Sequence, residues 1–328
     1  MGDLGGALRE LGLSGIATIR GPGGTVEYEE CFGLADRAAG TPNTPSTRFA
    51  LASVTKMFTA ATVLRLGVDP AAPVVSLLPP ERRPATLRPD VTVHHLLSHT
   101  SHIADYAEEE GPVVVDYEEI WVDHPCYRFE RPADFLPLFG DLPPYGPPKD
   151  EFHYCNAAYV VLGLIVEEVS GLSYVDAVGR EVFAPAGMAR SGFFRSDEPV
   201  PDVAVGYLES GRTNVFSVPV IGGADGGAHS TAEDLDRFLR AVDDGSLLGD
   251  RREVMLTPRV EVGEDDMDYG YGCLLYGDGR FGHGGGDPGC TALIQRIPAR
   301  DTTVVVVCNT YARVGAARNL MVDAVLDS

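Results

Sequence analysis

The two ends of the chain carry the alternating or continuous apolar runs that are typical of β-strands. Near the N-terminus, "GIATIR" and "TVEYEECFG" are joined by the turn-forming "GPGG", which predicts a β-hairpin. Towards the C-terminus, four more segments have the composition of strands: "YGYGCLLYG", "RFGHGG", "TALIQRIPA" and "TTVVVVCNT". A helix is expected after them, from about residue 312.

Other segments have apolar residues at helical spacing. In "FALASVTKMFTAATVLRL", residues 49–66, the spacing predicts a helix with one buried stripe, made of Val54, Met57, Phe58, Ala61 and Leu64. "NAAYVVLGLIVEEVSG" predicts a second helix that ends at Gly171. "STAEDLDRFLRAV" predicts a third, with Thr231 and Asp234 placed as in a capping box. Shorter helices are expected at residues 3–12 and in "VTVHHLLSH".

This order of elements predicts an α/β (α+β) fold, in which both chain ends build one antiparallel sheet flanked by helices. We assign residues 1–66 and 216–328 to this sheet lobe. Residues 67–215 are expected to form an inserted, mainly helical and loop-rich lobe, with the functional site between the lobes. We find no internal repeat and no linker that would separate independent domains.

Composition narrows the classes of partner. A formal net charge of −22 in 328 residues argues against binding to nucleic acid or to an anionic membrane surface. The sequence starts without a basic segment followed by an apolar run, and no stretch approaches the ~18 apolar residues of a membrane span. We therefore expect no signal peptide, no membrane partner and a cytoplasmic location. The six cysteines are scattered without a C-x-x-C pair, so we expect reduced thiols.

The use of lysine is the first chemical signal in the chain. Of its 26 basic residues, only Lys56 and Lys149 are lysines. Arginine keeps its proton in proteins, whereas a buried lysine can release one and act as a base. Ser53 precedes Lys56 by three residues, so a helix would place its hydroxyl beside the amine and could activate it as a nucleophile. The alternative is a lysine that extends from an amphipathic helix into solvent.

Two further segments carry polar groups suited to acyl chemistry. Tyr154 and Asn156 stand just before the second predicted helix. A tyrosine hydroxyl near an ammonium can be driven towards the phenolate and serve as a general base, and an asparagine can bind a substrate amide. In "GHGGGDPG", which follows a predicted strand, the glycines let a substrate backbone approach and leave amide donors free for an oxyanion. Each short motif alone is more often structural than catalytic.

Taken together and in this order, the three motifs resemble the serine β-lactamase and penicillin-binding-protein-like superfamily. The similarity is to the branch of class C β-lactamases, D-Ala-D-Ala carboxypeptidases and esterases, which uses S-x-x-K, Y-x-N and a third K-T-G or H-x-G motif. The flanking blocks "FGLADRAAGTPNTPSTRFALASVTKMFTA", "VTVHHLLSHTS", "GGAHSTAEDLDRF" and "FGHGGGDPGC" are also similar to this family. The resemblance covers roughly residues 12 to 310.

The resemblance implies a role for each matching residue. Ser53 would be the nucleophile that accepts the acyl group, and its backbone N–H would be one oxyanion donor. Lys56 would help to deprotonate Ser53 and would hold the Tyr154 phenolate. Tyr154 would carry the proton to the leaving group, and Asn156 would orient the substrate.

The glycine-rich motif would supply substrate and oxyanion contacts through His283, Gly284, Gly285 and Gly286. His283 would take the place of the family's third-motif lysine, and the N–H of Gly286 would be the second oxyanion donor. The resemblance implies neither a cofactor nor a metal. Three positions depart from the family pattern and leave the substrate open: His102, Cys155 and Cys290.

The implied function is hydrolysis of a small ester or amide through a Ser53 acyl-enzyme, as in an esterase, a D-aminopeptidase, a carboxypeptidase or a β-lactamase. Two alternatives stay open. An acyltransferase would use the same residues and exclude water from the second step. A penicillin-binding-like sensor or scaffold would bind or become acylated without turnover.

Two other groups of residues have a composition that could indicate a function. His95, His99 and His102 have helical spacing and precede Asp105, which could suggest a metal site, but no metallohydrolase signature accompanies them. The segment from 105 to 123 is acidic, and we favour a solvated surface over a rim that attracts a cationic substrate. Its acidic residues are Asp105, Glu108, Glu109, Glu110, Asp116, Glu118, Glu119 and Asp123. The walls of the pocket are expected from the 105–150 loop and the 190–225 segment.

Overall fold

The computed structural model of the protein describes residues 4–109, 117–263 and 266–327. The strands within these ranges are β1 Gly15–Arg20, β2 Val26–Phe32, β3 Leu34–Asp36, β4 Thr41–Pro42, β5 Phe49–Ala50, β6 His229–Ser230, β7 Val260–Glu261, β8 Met267–Tyr269, β9 Leu274–Tyr276, β10 Phe281–Asp287, β11 Cys290–Ile297 and β12 Thr302–Cys308. The α-helices are α1 Leu4–Glu10, α2 Thr55–Arg65, α3 Val74–Leu77, α4 Val93–Leu97, α5 Tyr117–Asp123, α6 Leu136–Phe139, α7 Asn156–Ser170, α8 Tyr174–Val178, α9 Ala232–Asp243, α10 Arg251–Met255 and α11 Val314–Leu326.

Strands from both ends of the chain form one eight-stranded sheet, in the order β2-β1-β12-β11-β10-β9-β8-β7. Every neighbouring pair in this sheet is antiparallel. The second and third strands of this order, β1 and β12, pair with Ile16 opposite Val307, so the N-terminal hairpin completes a sheet begun by the C-terminal strands. The predicted α/β fold with one antiparallel sheet is therefore confirmed.

Helices cover both faces of the central strands. Val304 and Val306 of β12 pack with α1 and α11, whereas Val305 and Val307 belong to the main core together with α2 and α9. Successive side chains of a strand point to opposite faces. A strand that is buried on both faces therefore has the continuous apolar sequence "TTVVVVC".

Helix α2 runs through the main core rather than along its edge. All its residues from Thr55 to Leu64 are buried, whereas the sequence predicted a single buried stripe. The helix packs against α7, α8, α10 and the π-helix Gly179–Phe183. A helix surrounded in this way has no solvent face, which rules out the alternative that Lys56 extends into solvent.

Helix α7 begins with the predicted site residue Asn156, two residues after Tyr154. It ends at Gly171, which has a φ of 67°, as the sequence predicted. Its residues 156–166 are all buried. Within the described part of the chain, no single helix has the length and apolar composition of a membrane span. The helical segments Asn156–Ser170 and Tyr174–Phe183 have this length and composition only when they are counted together, and a bend of 77° separates them.

Some local predictions need correction. The segment "YGYGCLLYG" is divided between the end of β8 and β9, because the chain turns between them with a φ of 72° at Gly272. Thr231 accepts a hydrogen bond from the N–H of Asp234, but the Asp234 carboxylate accepts one from the N–H of Arg190. Only half of the predicted capping box is therefore formed. The short helices α3, α5 and α6, which lie in the range 67–215 assigned to the helical lobe, were not predicted individually.

Candidate active site

Ser53 lies in a tight turn between the sheet and α2. Residues Ala52–Val54 form a 3-10 turn, so Ser53 directly precedes the α-helix that contains Lys56. Ala52 has a φ of 46°, a left-handed conformation that costs a non-glycine residue about 1–2 kcal/mol. The turn packs against the glycine-rich strand β10, where a Cβ placed on Gly285 would lie 2.8 Å from the Ser53 nitrogen. A glycine at position 285 therefore permits this close approach.

Lys56 lies in the first turn of α2 and is completely buried. Its Nζ atom donates hydrogen bonds to Ser53 Oγ at 2.9 Å, to Asn156 Oδ1 at 2.7 Å and to the Asp225 carbonyl oxygen at 2.7 Å. The amide and carbonyl oxygens can only accept, whereas a serine hydroxyl can donate or accept. A neutral Lys56 amine would therefore donate to these two oxygens and turn its lone pair towards the Ser53 hydroxyl.

The environment of Lys56 favours this neutral form. Burial lowers the pKa of Lys56 from its ordinary value, although the carboxylates of Asp225 and Glu109 act in the opposite direction. Desolvation prevails because an ammonium group loses its hydration in the protein interior. A lowered pKa increases the fraction of free amine, which is the form that can accept a proton from Ser53.

Tyr154 completes the group of three residues that the sequence predicted as catalytic. Its hydroxyl forms a hydrogen bond with Ser53, and the centre of its ring lies 4.8 Å from Lys56 Nζ. Burial raises the pKa of Tyr154 well above its ordinary value and Glu109 adds to the rise, whereas the hydrogen bond with Ser53 lowers it. The phenolate predicted from the sequence is therefore disfavoured in the free site, whereas the lowered pKa of Lys56 makes its amine more readily available in the unprotonated form.

Asn156 begins α7 and is held on several sides. Its Oδ1 accepts the hydrogen bond from Lys56, and its Nδ2 donates to Glu109 Oε1 at 2.8 Å. The Asn156 N–H donates to the buried carboxylate of Asp105 at 2.7 Å, which also accepts from the N–H of Ala157 at 2.9 Å. Asp105 thus satisfies free amides at the start of α7 and fixes the position of Asn156.

The structure separates the residues predicted from the glycine-rich motif. Gly286 lines the cavity that contains Ser53, as expected for an oxyanion donor. His283 is buried, with Nε2 bonded to the Tyr269 hydroxyl at 2.9 Å and Nδ1 in contact with the Gly284 carbonyl oxygen. Burial lowers the pKa of His283 to about 4. A neutral histidine held in this way offers a substrate no positive charge in place of the third-motif lysine.

A residue that the sequence patterns did not single out for this role, His99, supports the ring of Tyr154 from behind. The ring of His99, which is fully buried, lies 4.4 Å from the Tyr154 ring and 4.9 Å from the Tyr269 ring. His99 Nδ1 accepts a hydrogen bond from the Cys155 N–H at 3.0 Å. His99 belongs to the "HTS" block, where the helical spacing of the histidines could suggest a metal site but does not indicate a contact with Tyr154. The described residues contain no group of three or more His, Cys, Asp or Glu side chains suited to a metal ion.

The acidic segment 105–123 does not form one surface. Asp105 and Glu108 are buried, and Glu108 bonds with His153 Nε2 at 3.1 Å. Glu109 and Glu118 line the cavity next to Ser53. Of the remaining acidic residues, Glu119 and Asp123 are exposed. Glu110 and Asp116 lie outside the described residues.

A cavity of about 1000 Å³ is lined by Ser53, Asn156 and Gly286. Its other walls come mainly from residues between 107 and 135 and between 194 and 229, which agrees with the walls expected from the sequence. Cys290 lines the cavity, whereas Cys155 is buried beside it. All six cysteines are free thiols, as predicted.

Known proteins with similar sequences and structures identify the family. The family model described as Beta-lactamase matches residues 5–326. The crystal structure of a penicillin binding protein from Bacillus halodurans matches with a TM-score of 0.89 and 37% identity, and the match covers 98% of both chains. Esterase EstB from Burkholderia gladioli is 31% identical over 72% of this chain and 67% of its own length. Penicillin-binding protein 4* from Bacillus subtilis (strain 168) is 28% identical over 88% of this chain. The match covers 66% of the length of that relative, which is just under two thirds. The chain therefore belongs to the beta-lactamase family, which confirms the family and the enzyme class, a serine hydrolase, that the sequence predicted.

Proposed function

We propose that the protein hydrolyses a small ester or amide through an acyl-enzyme formed on Ser53. The observation that carries this proposal is the 2.9 Å hydrogen bond between Ser53 Oγ and the fully buried Lys56 Nζ, next to a cavity of about 1000 Å³. A hydroxyl beside a desolvated amine is an activated nucleophile. The esterase among the relatives supports an ester or amide substrate.

In the first half of the reaction, the Lys56 amine takes the proton of Ser53 while Oγ attacks the substrate carbonyl carbon. The carbonyl oxygen becomes an oxyanion, which the N–H groups of Ser53 and Gly286 stabilise. The tetrahedral intermediate then collapses, and the bond to the leaving group breaks. The proton taken by Lys56 reaches the leaving group through the Tyr154 hydroxyl, which lies beside Ser53.

In the second half, water attacks the acyl-enzyme and the same groups work in reverse. The attacking water gives its proton to Lys56 by way of Tyr154, and Ser53 leaves as the hydroxyl. Asn156 holds Lys56 in place throughout and presents its amide towards the cavity.

We further propose that the reaction takes place between the sheet lobe (1–66 and 216–328) and the helical lobe (67–215), because residues of both ranges line the cavity. The cytoplasmic location stays a prediction, which cell fractionation would test.

Covalent labelling tests the proposed nucleophile. The protein is incubated with a fluorophosphonate or a β-lactam, and the adduct is located by peptide mass mapping. We expect the adduct on Ser53, and loss of both labelling and p-nitrophenyl acetate hydrolysis in Ser53→Ala.

Ser196, which also lines the cavity, provides the matched control: Ser196→Ala should be labelled like the unmodified protein. A label on another residue, or hydrolysis that survives Ser53→Ala, would contradict the proposal. Product analysis in the presence of an added alcohol separates hydrolysis from acyl transfer.

A further inference from the structure

The cavity next to Ser53 has a strongly one-sided charge. Among the described residues that line it, seven carry carboxylates and one, Arg195, carries a guanidinium. Arg195 is already paired with Glu130 at 3.0 Å and with Asp197 at 2.9 Å. The Nζ atom of Lys56 is engaged inside the protein by Ser53, Asn156 and Asp225. A substrate carboxylate would therefore meet no free cation on the described walls, whereas a substrate cation would meet several anions.

Asp287 differs from the other carboxylates close to Ser53. It follows Gly286 in β10 and lines the cavity. Asp225 accepts a hydrogen bond from the Tyr106 hydroxyl, and Glu109 accepts one from Asn156 Nδ2. Within the described ranges, the Asp287 carboxylate takes part in no hydrogen bond or ion pair. A partly buried anion without a partner is unfavourable in free energy, and a cationic group in the cavity would relieve this.

We propose that Asp287 binds the protonated amine of the substrate, so that the enzyme prefers esters or amides with an ammonium group close to the scissile carbonyl. This inference rests on the proposed function, because it assumes that the substrate oxyanion is bound by the N–H of Gly286. Neighbouring Cα atoms are about 3.8 Å apart. When the carbonyl oxygen of the substrate is bound at Gly286, a group two or three bonds from that carbonyl therefore lies within reach of Asp287. The amine of an amino acid ester or amide has this spacing.

The electrostatics of the free cavity support this assignment. Burial raises the pKa of Asp287 to about 7; Lys56 lowers it, and the carboxylates of Asp225 and Glu109 raise it. A bound ammonium would favour the ionised carboxylate, as an opposite charge nearby does. The titratable groups that interact with Asp287 from neighbouring elements are Lys56, Glu109, Tyr117, Asp225 and Cys290.

The kinetic test compares an amine-bearing substrate with its isostere that lacks the amine. The substrates are the p-nitroanilides of D-alanine, L-alanine and propionic acid. For each alanine anilide, its kcat/KM is divided by the kcat/KM of the propionic acid anilide, and this ratio measures the preference for the amine. A charge-assisted hydrogen bond is worth about 1.5–3 kcal/mol, or about 10- to 150-fold. Asp287→Asn should therefore lower the ratio for the preferred enantiomer by about 10-fold or more.

Two variants serve as controls in this test. Asp287→Glu retains the charge and should keep more of the selectivity than Asp287→Asn. Glu209→Gln removes a different cavity carboxylate, from a segment distant in sequence from Asp287, and should leave the ratio unchanged. If Asp287→Asn leaves the ratio unchanged, or if Glu209→Gln lowers it equally, the assignment to Asp287 is wrong.

A binding test keeps the inference separate from the proposed hydrolysis. Calorimetry with the Ser53→Ala protein measures the affinity of alanine amide and of propionamide without any turnover. We expect alanine amide to bind at least about 10-fold more tightly, and Ser53→Ala/Asp287→Asn to lose this preference. Equal affinities for both amides would overturn the inference. A retained preference together with no turnover of any ester or anilide would overturn the hydrolysis and leave the amine site standing.

Discussion

At the scale of single residues, the chemistry of Lys56 is set by its neighbours. The amine has no contact with solvent and three polar partners, two of which can only accept. Burial also lowers the pKa of Lys56. An arginine could fill much of the same space, but it would keep its proton. The choice of lysine at this position, in a chain with 24 arginines and two lysines, thus has a chemical explanation.

Lys56→Arg tests whether this proton transfer matters. The variant keeps the positive charge and removes the titratable amine, so we expect kcat/KM for p-nitrophenyl acetate to fall at least ~100-fold. Thermal unfolding should accompany the assay, because a guanidinium is larger than an ammonium group and Lys56 is completely buried. A well-folded Lys56→Arg protein with near-normal kcat/KM would show that the lysine is only an electrostatic anchor.

Tyr154→Phe tests the route of the proton to the leaving group. The substitution removes one hydroxyl next to Ser53 and leaves the ring, so we expect kcat to fall much more than KM rises. Tyr159→Phe is the matched control. Its hydroxyl donates to the Leu97 carbonyl oxygen at 2.9 Å in the core, so its loss should lower stability by about 1 kcal/mol and affect kcat less. An unchanged kcat in Tyr154→Phe would assign the whole proton transfer to Lys56.

Asp287 should also make the stability of the free protein depend on pH. Its pKa is raised from 3.8 to about 7, so between these values the folded protein binds more protons at this position than the unfolded chain. Ionisation of Asp287 therefore destabilises the fold as pH rises through this window. Asp287→Asn removes this contribution. The free energy of unfolding, measured with urea, should therefore rise in the variant relative to the unmodified protein as the pH is raised from 4 to 8. A difference between the two proteins that stays constant over this range would contradict the prediction.

At the scale of secondary-structure elements, the position of Ser53 depends on strand β10. The strand pairs with β11 along its length, but with β9 only at Phe281 and Gly282. The rest of its free edge faces the Ser53 turn, and a Cβ on Gly285 would come within 2.3 Å of the Leu51 carbonyl oxygen. The glycines of β10 would therefore set the distance between the two proposed oxyanion donors, the N–H groups of Ser53 and Gly286.

Gly285→Ala should push the strand and the Ser53 turn apart. A displacement of about 1 Å at a reacting group can reduce the rate by about 100-fold, and we expect a loss of this order in kcat/KM. At Gly284, a Cβ would meet only the Ala292 carbonyl oxygen at 4.0 Å, so Gly284→Ala should lose much less. Similar activities in the two variants would mean that the turn adapts without consequence for the reaction.

At the scale of the whole molecule, the net charge of −22 acts on any charged substrate before it reaches the cavity. Such a field raises the rate at which cations are captured and weakens as salt is added. This effect is distinct from the contact with Asp287, because it sums over the whole surface. The acidic segment contributes to the field, although Asp105 and Glu108 are buried within the fold.

Ionic strength should separate the long-range field from the local contact. From low salt to well above ~0.1 M, where the Debye length is about 10 Å, kcat/KM for an amine-bearing ester should fall, while that for a neutral ester should stay nearly constant. Asp287→Asn should retain most of this salt dependence and lose the selectivity that remains at high salt. Parallel salt responses of the two esters would show that the surface charge does not guide the substrate.

The sequence by itself determined the features that depend on neighbouring residues. Periodicity and turn residues predicted the hairpin of β1 and β2, the C-terminal strands and the end of α7 at Gly171, because these features follow from local backbone preferences and alternating burial. The spacing of Ser53 and Lys56 also predicted their contact, since one helical turn brings them together. The order of the three motifs was sufficient to indicate the family.

Only the tertiary structure decided how these groups interact with the rest of the chain. Lys56 meets an amide 100 residues away and a carbonyl 169 residues away, and no local pattern encodes such contacts. Burial disfavours the predicted Tyr154 phenolate and lowers the pKa of His283, whose Nε2 is bonded to the Tyr269 hydroxyl. Protonation and orientation depend on the solvent that is removed and on the partners that replace it, and both are set by how distant segments pack together.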